Sequence, residues 1–349
     1  TQMVYTVNSA AARTLTSLTS QDRISNFEMS FSRGWYENTD FAAGLFSKSW
    51  GSSPWGQAIL QGSHISINTP LFKQPNATMK NKDDWTTGDI EAINSTAHPI
   101  TLYKPSNDYA TYDSQYTHWG DRSARDFYRL AWRNMAAPTG ERTLMPTIIP
   151  PGTAHVMTVS AAGGITANRL CEVLAASSSI ISDFRIRTSG RSHVDFKDLI
   201  LGPALPKDHT LIPRTVLRVL RLNCLTDAYA DLWEECWDDS FVADTPILER
   251  YDEGPIGPEW SADTPLRRAE DRRNAQAEID VMVAIMLGVP IEDLCTIYRT
   301  QFAVLYDYDH GRGQGAYVYD ANGRQLPTPV RQAWEKRHRP TANEDMPLS

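Results

Sequence analysis

Apolar residues recur every three or four positions in several segments of the chain, which is the spacing of one face of a helix. The clearest of these segments is 266–287, which is followed by Gly288 and Pro290. Because glycine and proline commonly end helices, the pattern predicts a long helix there. The same spacing predicts shorter helices, which lie at 167–176, 211–227 and 291–302.

Other segments form short apolar runs or alternate apolar with polar residues, as strands do. The run 144–149, closed by two prolines and a glycine, predicts a buried strand. Weaker patterns predict strands around Ile65 and Ile67, at 154–159, and along a sheet edge at 180–191.

Turn signals complete the outline of the fold. The Asn322-Gly323 pair predicts a hairpin within 317–326, and the polar segment 73–89 predicts a surface loop. Together the elements predict an α+β fold with a mixed sheet and a helical C-terminal portion.

One segment combines helical spacing with positive charge. Its arginines follow one another at steps of three, four and four, which places them on one side of a predicted helix over 121–135. A polar turn and the strand at 144–149 follow after Pro138. The arginines of the helix are Arg122, Arg125, Arg129 and Arg133, and the turn holds Thr139, Arg142 and Thr143.

The length of 349 residues suggests about two domains. We expect the following parts: an unassigned N-terminal segment at 1–49, a domain at 50–229, an acidic linker at 230–265, and a helical C-terminal region with a hairpin at 266–349. The chain begins with threonine, which fits a fragment of a longer polypeptide. It lacks both a membrane-spanning apolar run and a signal peptide, so we expect a cytoplasmic protein without a membrane partner.

The charge is unevenly distributed along the chain, although the formal net charge is -8. Residues 101–225 hold 15 Lys and Arg against 10 Asp and Glu, whereas the rest of the chain holds 19 against 32. Of the basic residues in 101–225, 12 are arginines. Arginine binds phosphate and guanine through a planar fork of donors, so this region favours nucleic-acid recognition.

We therefore predict a DNA-binding surface that is centred on the arginines. In this interpretation several of them contact phosphates, while Arg142, Thr139 and Thr143 lie close to base edges. A solvated charged face would give the same pattern. The remaining candidates come from two other segments, and they are Arg185, Arg187, Arg214, Arg218 and Arg221. Aromatic loops near Trp55 and at 103–116 are weaker candidates for stacking on bases.

Catalytic and metal-binding patterns are sparse. The four cysteines have no paired spacing, so neither a zinc site nor a disulfide framework is expected. The glycine-rich turn and the Asn/Asp-Pro-Pro-aromatic motif of an amino-methyltransferase do not occur, and we assign no catalytic residue. A loose pattern of Asp183, Asp195 and Lys197 imitates a magnesium-dependent nuclease and leaves that alternative open.

Three segments resemble the target-recognition region of Eco57I-like DNA adenine methyltransferases. These are the single-chain enzymes of type IIG restriction-modification and of phage-defence systems such as BREX and DISARM. The longest segment begins Trp132-Arg133, continues as Pro138-Thr139-Gly140-Glu141-Arg142-Thr143-Leu144 and ends Ile149-Pro150-Pro151-Gly152. The other two are 216–226, and 273–298 followed by 319–324.

The resemblance implies that the chain recognises a double-stranded DNA target for an adenine methyltransferase. It implies S-adenosylmethionine in a catalytic domain or subunit that this sequence does not contain, and no cofactor in the chain itself. The domain at 50–229 would then be the target-recognition domain. The alternative is a protein-interaction module of a defence complex, which would use the acidic segment around Trp233 and Trp237.

Overall fold

The computed structural model describes residues 8–80, 83–248 and 254–338. In these residues α-helices combine with small, mostly antiparallel sheets, so the fold is α+β, as predicted. Within the same ranges, every helix is too short or too polar to cross a lipid bilayer.

The strands of the described residues are short and fall into several sheets. They are β1 Ser30–Ser32, β2 Phe46–Ser52, β3 Ile59–Leu60, β4 Lys73–Pro75, β5 Trp85–Thr87, β6 Ile100–Pro105, β7 His118–Trp119, β8 Arg122–Ser123, β9 Arg129–Arg133, β10 Pro146–Ile149, β11 Ala154–His155 and β12 Val159–Gly163.

The helices become longer and more frequent in the second half of the chain. They are α1 Ser9–Thr19, α2 Thr39–Ala42, α3 Tyr109–Gln115, α4 Ala167–Ser178, α5 Ile180–Thr188, α6 Phe196–Ile200, α7 Ile212–Asn223, α8 Ala230–Glu235, α9 Ala269–Met286, α10 Ile291–Gln301, α11 Ala303–Asp309 and α12 Thr328–His338.

The central sheet has four antiparallel strands in the order β1, β12, β9, β10. Strand β9 hydrogen-bonds on both sides, so that Trp132 faces Pro146 on β10 and Ser160 on β12. Helix α4 packs against β9 and β10, and α7 and α9 pack around α4. The main hydrophobic core therefore lies between the central sheet and these three helices.

A second, smaller core consists mainly of aromatic side chains. Trp35, Phe46, Tyr103, Tyr112 and Tyr116 are all buried in it. Their rings meet at tilted or edge-on angles with centroids 5.1 to 6.4 Å apart, which is the favoured arrangement of aromatic pairs. This cluster anchors the antiparallel pair of β2 and β6 to the rest of the molecule.

Most of the predicted helices are confirmed. The segments 167–176, 211–227, 266–287 and 291–302 contain α4, α7, α9 and α10, and the strand predicted at 144–149 is β10. A turn does form at Asp320–Gly323, where the Gly323 N–H donates to the Asp320 carbonyl at 3.1 Å.

The helix predicted at 121–135 is wrong. This segment forms β8, a short 3-10 turn and β9. The arginine spacing is that of a helix, but the segment that holds Leu130 and Trp132 lies between two strands and bonds to both. Tertiary pairing therefore overrides the local pattern.

Several strand predictions also fail. The segment 180–191 forms the helix α5, not a strand. Almost all residues of α5 are buried, so its sequence lacks the apolar stripe on one side that identifies a helix at a protein surface. The segment 154–159 breaks into β11 and the start of β12, and Ile65 and Ile67 lie outside the strands. The predicted loop 73–89 contains the paired strands β4 and β5.

The segment predicted as an acidic linker is partly packed. Leu232, Trp233, Cys236 and Phe241 from it are buried in the main core. The same core takes Leu18 from the N-terminal segment and residues of α9 and α10 from the C-terminal region. The described residues of the four predicted parts therefore share one core.

Candidate functional site

The arginines of the predicted DNA-binding helix are mostly buried and bonded within the chain. Arg125 binds the Asp113 carboxylate at 2.5 Å and the Gly152 carbonyl at 2.9 Å. Arg129 is fully buried and donates to the Thr153 carbonyl. These two side chains therefore fasten the segment 121–133 to neighbouring loops.

The polar turn with the predicted base-reading residues is also engaged inside the molecule. Arg142 is only 2% exposed and pairs with Asp280 of α9 at 2.5 Å. The Thr143 backbone N–H donates to the buried Asp183 at 2.9 Å, and its hydroxyl accepts from Arg187 at 3.1 Å. Arg142, Thr143 and Arg187 thus hold the turn against α5 and α9.

Of the arginines of α7, Arg218 and Arg221 are buried and Arg214 is half-exposed. Arg218 binds Glu278 at 2.6 Å and also Asp244, and Arg214 binds the same Asp244 at 2.7 Å. The Nε–H of Arg221 donates to a backbone carbonyl at 2.9 Å. A buried charge requires such partners, because the loss of its hydration is otherwise uncompensated.

The remaining predicted residues divide between bonded and exposed positions. Arg133 donates to a backbone carbonyl at 2.7 Å, and Arg185 donates to the Asp198 carbonyl. Arg122 is exposed over 61% of its side chain, and Thr139 is exposed as well. The twelve predicted residues therefore do not come together on one surface.

The nuclease pattern is not assembled. Asp183 is buried and accepts backbone N–H groups of the 143–144 turn, whereas Asp195 is exposed and caps α6. Over the ranges that the structure covers, acidic, histidine and cysteine side chains form no group that could hold a metal ion.

The tryptophans of the acidic segment belong to the core. Trp233 is fully buried and donates to the Gly257 carbonyl at 2.9 Å. Trp237 packs on Trp233 with ring centroids 5.7 Å apart and on Phe241 at 5.5 Å. Their side chains are thus occupied by packing within the chain.

Unpaired lysines are found instead on two adjacent antiparallel strand pairs, β2–β6 and the β4–β5 hairpin. We call their exposed surface the hairpin face and define it by Lys48, Trp50, Lys73, Lys80 and Lys104. Among the described residues none of the four lysines forms an ion pair, and all four are exposed or half-exposed. Trp50 is 45% exposed, unlike the buried Trp55.

Hydrogen bonds and ring contacts join the β2–β6 pair to the β4–β5 hairpin. The indole N–H of Trp50 donates to the Pro75 carbonyl at 2.7 Å and links β2 to β4. His64 is buried between the hairpins, with its Nε2 2.9 Å from the Ile100 carbonyl and its ring 4.8 Å from that of Trp85. Burial lowers the pKa of His64 to about 4, so its ring is neutral at pH 7.

The described residues at the tip of the β4–β5 hairpin are held together by hydrogen bonds to one carboxylate. Asp84 accepts from the side chains of Asn76 and Thr78 at 2.7 and 2.6 Å and from the backbone N–H of Lys80 at 3.0 Å. These hydrogen bonds lower the pKa of Asp84 below its usual range. In the described part of the tip, Asp84 therefore fixes the backbone of Lys80 and the side chains of Asn76 and Thr78.

The sequence does indicate this surface, through a cluster of lysines that attracts less notice than the more numerous arginines. Five of the eight lysines of the chain lie between positions 48 and 104, among aromatic and polar residues.

Neither a scan against models of protein families nor a search of curated proteins finds a match to this chain. Its function must therefore be inferred from its own residues and their geometry.

Proposed function

We propose that the chain recognises double-stranded DNA and that the hairpin face makes the contact. In this proposal the chain is the target-recognition part of a site-specific DNA adenine methyltransferase of a restriction-modification or phage-defence system. The family part of the proposal rests on the resemblance of 132–152, 216–226, 273–298 and 319–324.

The observation that carries the proposal is a group of four lysines that form no ion pair among the described residues. Of these, Lys73 also lies over the Phe72 ring at 5.3 Å, and Lys80 is close enough to Asp84 to interact with its charge. A lysine ammonium that is free of internal partners can neutralise a phosphate and release its bound counterion. In the antiparallel pair of β2 and β6, Ser47 lies opposite Lys104 and Lys48 lies opposite Tyr103, so Lys48 and Lys104 are at neighbouring positions but on opposite faces of the pair. In the proposal each of these two lysines contacts a separate phosphate.

The shape of the neighbouring hairpin fits the same role. The major groove of B-DNA admits a two-stranded β-ribbon, and β4 and β5 form such a ribbon. Its tip carries Lys80, which can reach a phosphate. The Asn76 amide and the Thr78 hydroxyl donate to Asp84, so only their remaining donor and acceptor sites are left for base edges. In this arrangement the lysines position the duplex, and the tip is the element that discriminates sequences.

In the proposal the buried arginines stabilise the fold and do not contact DNA. Because they bond to carbonyls and carboxylates of the chain, they hold its loops and helices together. Arg122 remains exposed and is a further candidate for a phosphate contact. The catalytic domain or subunit, with S-adenosylmethionine, would lie outside this sequence.

A salt series tests the proposal. The chain is titrated onto a random-sequence duplex between 50 and about 300 mM salt, alongside the double variant Lys48→Ala/Lys104→Ala. Each phosphate contact contributes about 0.9 to the slope of log K against log salt. We expect the double variant to bind more weakly and to lower this slope by about 1.8.

The matched control removes the same charge elsewhere. Lys197 and Lys207 are exposed lysines outside the hairpins, and Lys197→Ala/Lys207→Ala should leave the slope unchanged. If both double variants lose the same slope, the binding is a nonspecific charge effect and the hairpin face is not the interface. Absence of any salt-dependent binding would contradict the proposal as a whole.

A further inference from the structure

A cavity of about 590 Å³ opens between the base of the β4–β5 hairpin and the helices α9 and α11. Phe72 and Thr87 line it on the hairpin side, and Arg272 and Arg273 of α9 line it on the other. Small-molecule sites in proteins have volumes of roughly 300 to 1,000 Å³, so the cavity is of ligand size.

Two arginines of the lining have unused donors. Arg142 pairs with Asp280 through one nitrogen, while its Nε and Nη1 find no hydrogen-bond partner in the described ranges. Arg273 binds both oxygens of Asp309 at 2.7 and 2.6 Å, and its Nη1 is likewise unsatisfied. Leaving buried donors unpaired is costly, so these groups favour a ligand that accepts hydrogen bonds.

A third arginine of the lining is held by neutral groups. The buried Arg272 donates to the backbone carbonyls of Leu222 and Asn68 at 3.0 and 3.1 Å and to the Thr69 hydroxyl at 2.9 Å. Burial lowers the pKa of Arg272 to about 9, because it removes water from the charged form. An anion in the cavity would offset this cost.

The acidic residues of the lining are already engaged. Glu91 binds Arg324 at 2.6 Å, and Glu141 accepts from the Tyr317 hydroxyl. Asp89 and Asp320 accept backbone N–H groups of their own turns. All four are exposed or half-exposed, whereas Arg142 and Arg272 are buried. Arg142 is paired with Asp280, so Arg272 is the buried cation of the lining that is held by neutral groups alone.

Aromatic and apolar side chains form the rest of the lining. Phe72, Tyr317 and Tyr319 offer ring surfaces, and Ile67 and Leu305 add aliphatic contacts. Such walls accept a planar ring, because nucleic-acid bases stack on aromatic side chains.

From the combination of unpaired arginine donors with ring surfaces, we propose that this cavity binds a nucleotide. The arginines hold its phosphate and the aromatic side chains hold its base. The ligand has two possible sources, a free nucleoside phosphate or a nucleotide turned out of a bound duplex, and the second source alone rests on the proposed function.

Calorimetric titration of the full chain with AMP, adenosine and inorganic phosphate tests the first source. AMP should bind at least tenfold more tightly than adenosine or phosphate. The blocking variant is Ala269→Phe, because Ala269 is the first residue of α9, lines the cavity and is half-exposed. It should weaken AMP binding at least tenfold, whereas Ala12→Phe on the exposed side of α1 should not.

A duplex that carries 2-aminopurine tests the second source. Its fluorescence rises when the base leaves the stack, and we expect Ala269→Phe to abolish such a rise if the cavity holds the base. The proposal is overturned if AMP binds equally well to both variants or not at all, and the duplex shows no rise that depends on Ala269. Salt-dependent duplex binding by Ala269→Phe separates this failure from a failure of the proposed function.

Discussion

At the scale of single residues, arginine serves mainly as an internal connector in this protein. Arg125, Arg142 and Arg218 are each nearly inaccessible and bind a carboxylate. For Arg142 and Arg218 that carboxylate comes from a distant part of the chain. Their guanidinium groups have five donors in a plane, which suits the bonding of several carbonyl and carboxylate oxygens at once. Residue type alone therefore does not predict whether these arginines are buried or exposed.

The Arg142 ion pair supplies a test at this scale. Arg142→Ala would leave Asp280 buried without its cation, and the expected loss is about 3 to 5 kcal/mol of unfolding free energy. Chemical denaturation measures it. The exposed Arg122→Ala should change stability by less than about 0.5 kcal/mol. Equal effects of the two changes would contradict the structural role of Arg142.

What the sequence could predict at this scale was charge, not accessibility. The excess of basic residues over 101–225 was visible, but the partners of several of its buried arginines are far away in sequence. Asp280, for example, lies 138 positions after Arg142. The lysines of the hairpin face were visible too, yet nothing local distinguished their free side chains from the paired arginines.

At the scale of elements, periodicity predicted the helices whose sequence places apolar residues on one side and polar residues on the other. Helices α7, α9 and α10 follow this pattern, although Arg218 and Arg221 of α7 are buried by bonds within the chain. Strand β9 and helix α5 are buried almost throughout, so their patterns carried no information on which element forms. The strands of the hairpin face were predicted least well, because they are only three to seven residues long.

The link between β1 and Trp35 gives a test at this scale. Gly34 has φ +78°, and a Cβ there would lie 2.4 Å from the Nδ1 of His155. Gly44 has φ +75° with open space around it. Gly44→Ala should cost about 1 kcal/mol for the left-handed backbone alone. Gly34→Ala should cost about 2 kcal/mol more, because His155 must move.

Thermal and urea denaturation of both glycine variants measures the difference. The comparison isolates the close approach, since the two backbone conformations are nearly the same. If the two variants lose equal stability, the packing of Gly34 against His155 is not as tight as described.

At the scale of the whole molecule, one core joins residues of the N-terminal helix, the central sheet and the C-terminal helices. The four parts predicted from composition do not mark separate cores among the described residues. Acidity and prolines around 230–259 suggested a linker, but the tryptophans of that segment bury enough surface to pack it.

Two buried histidines predict how the stability of the molecule depends on pH. Burial lowers the pKa of His64 to about 4 and that of His155 to about 3. In the unfolded chain both titrate near 6.5, so below that pH the unfolded state binds more protons. Their stabilising contribution is therefore complete above about pH 6.5 and is lost as the pH falls toward 4.

Each histidine should reduce the unfolding free energy by up to about 1.4 kcal/mol per pH unit in this window. Urea denaturation at intervals between pH 7 and 5 measures the slope. His64→Gln should reduce the slope by about half, and the exposed His98→Gln should leave it unchanged. A flat profile in the unmodified chain would contradict the burial of both rings.

The self-contained tip of the β4–β5 hairpin has a consequence for how such a chain can diversify. The side chains of Asn76, Thr78 and Asp84 bond to one another and to Thr86, all within the hairpin. Residues at the tip can therefore change by mutation without disturbing the core, provided that Asp84 stays in place. Under the proposed function, new target sequences could arise by substitution in this one hairpin while the arginine-bonded scaffold is inherited unchanged.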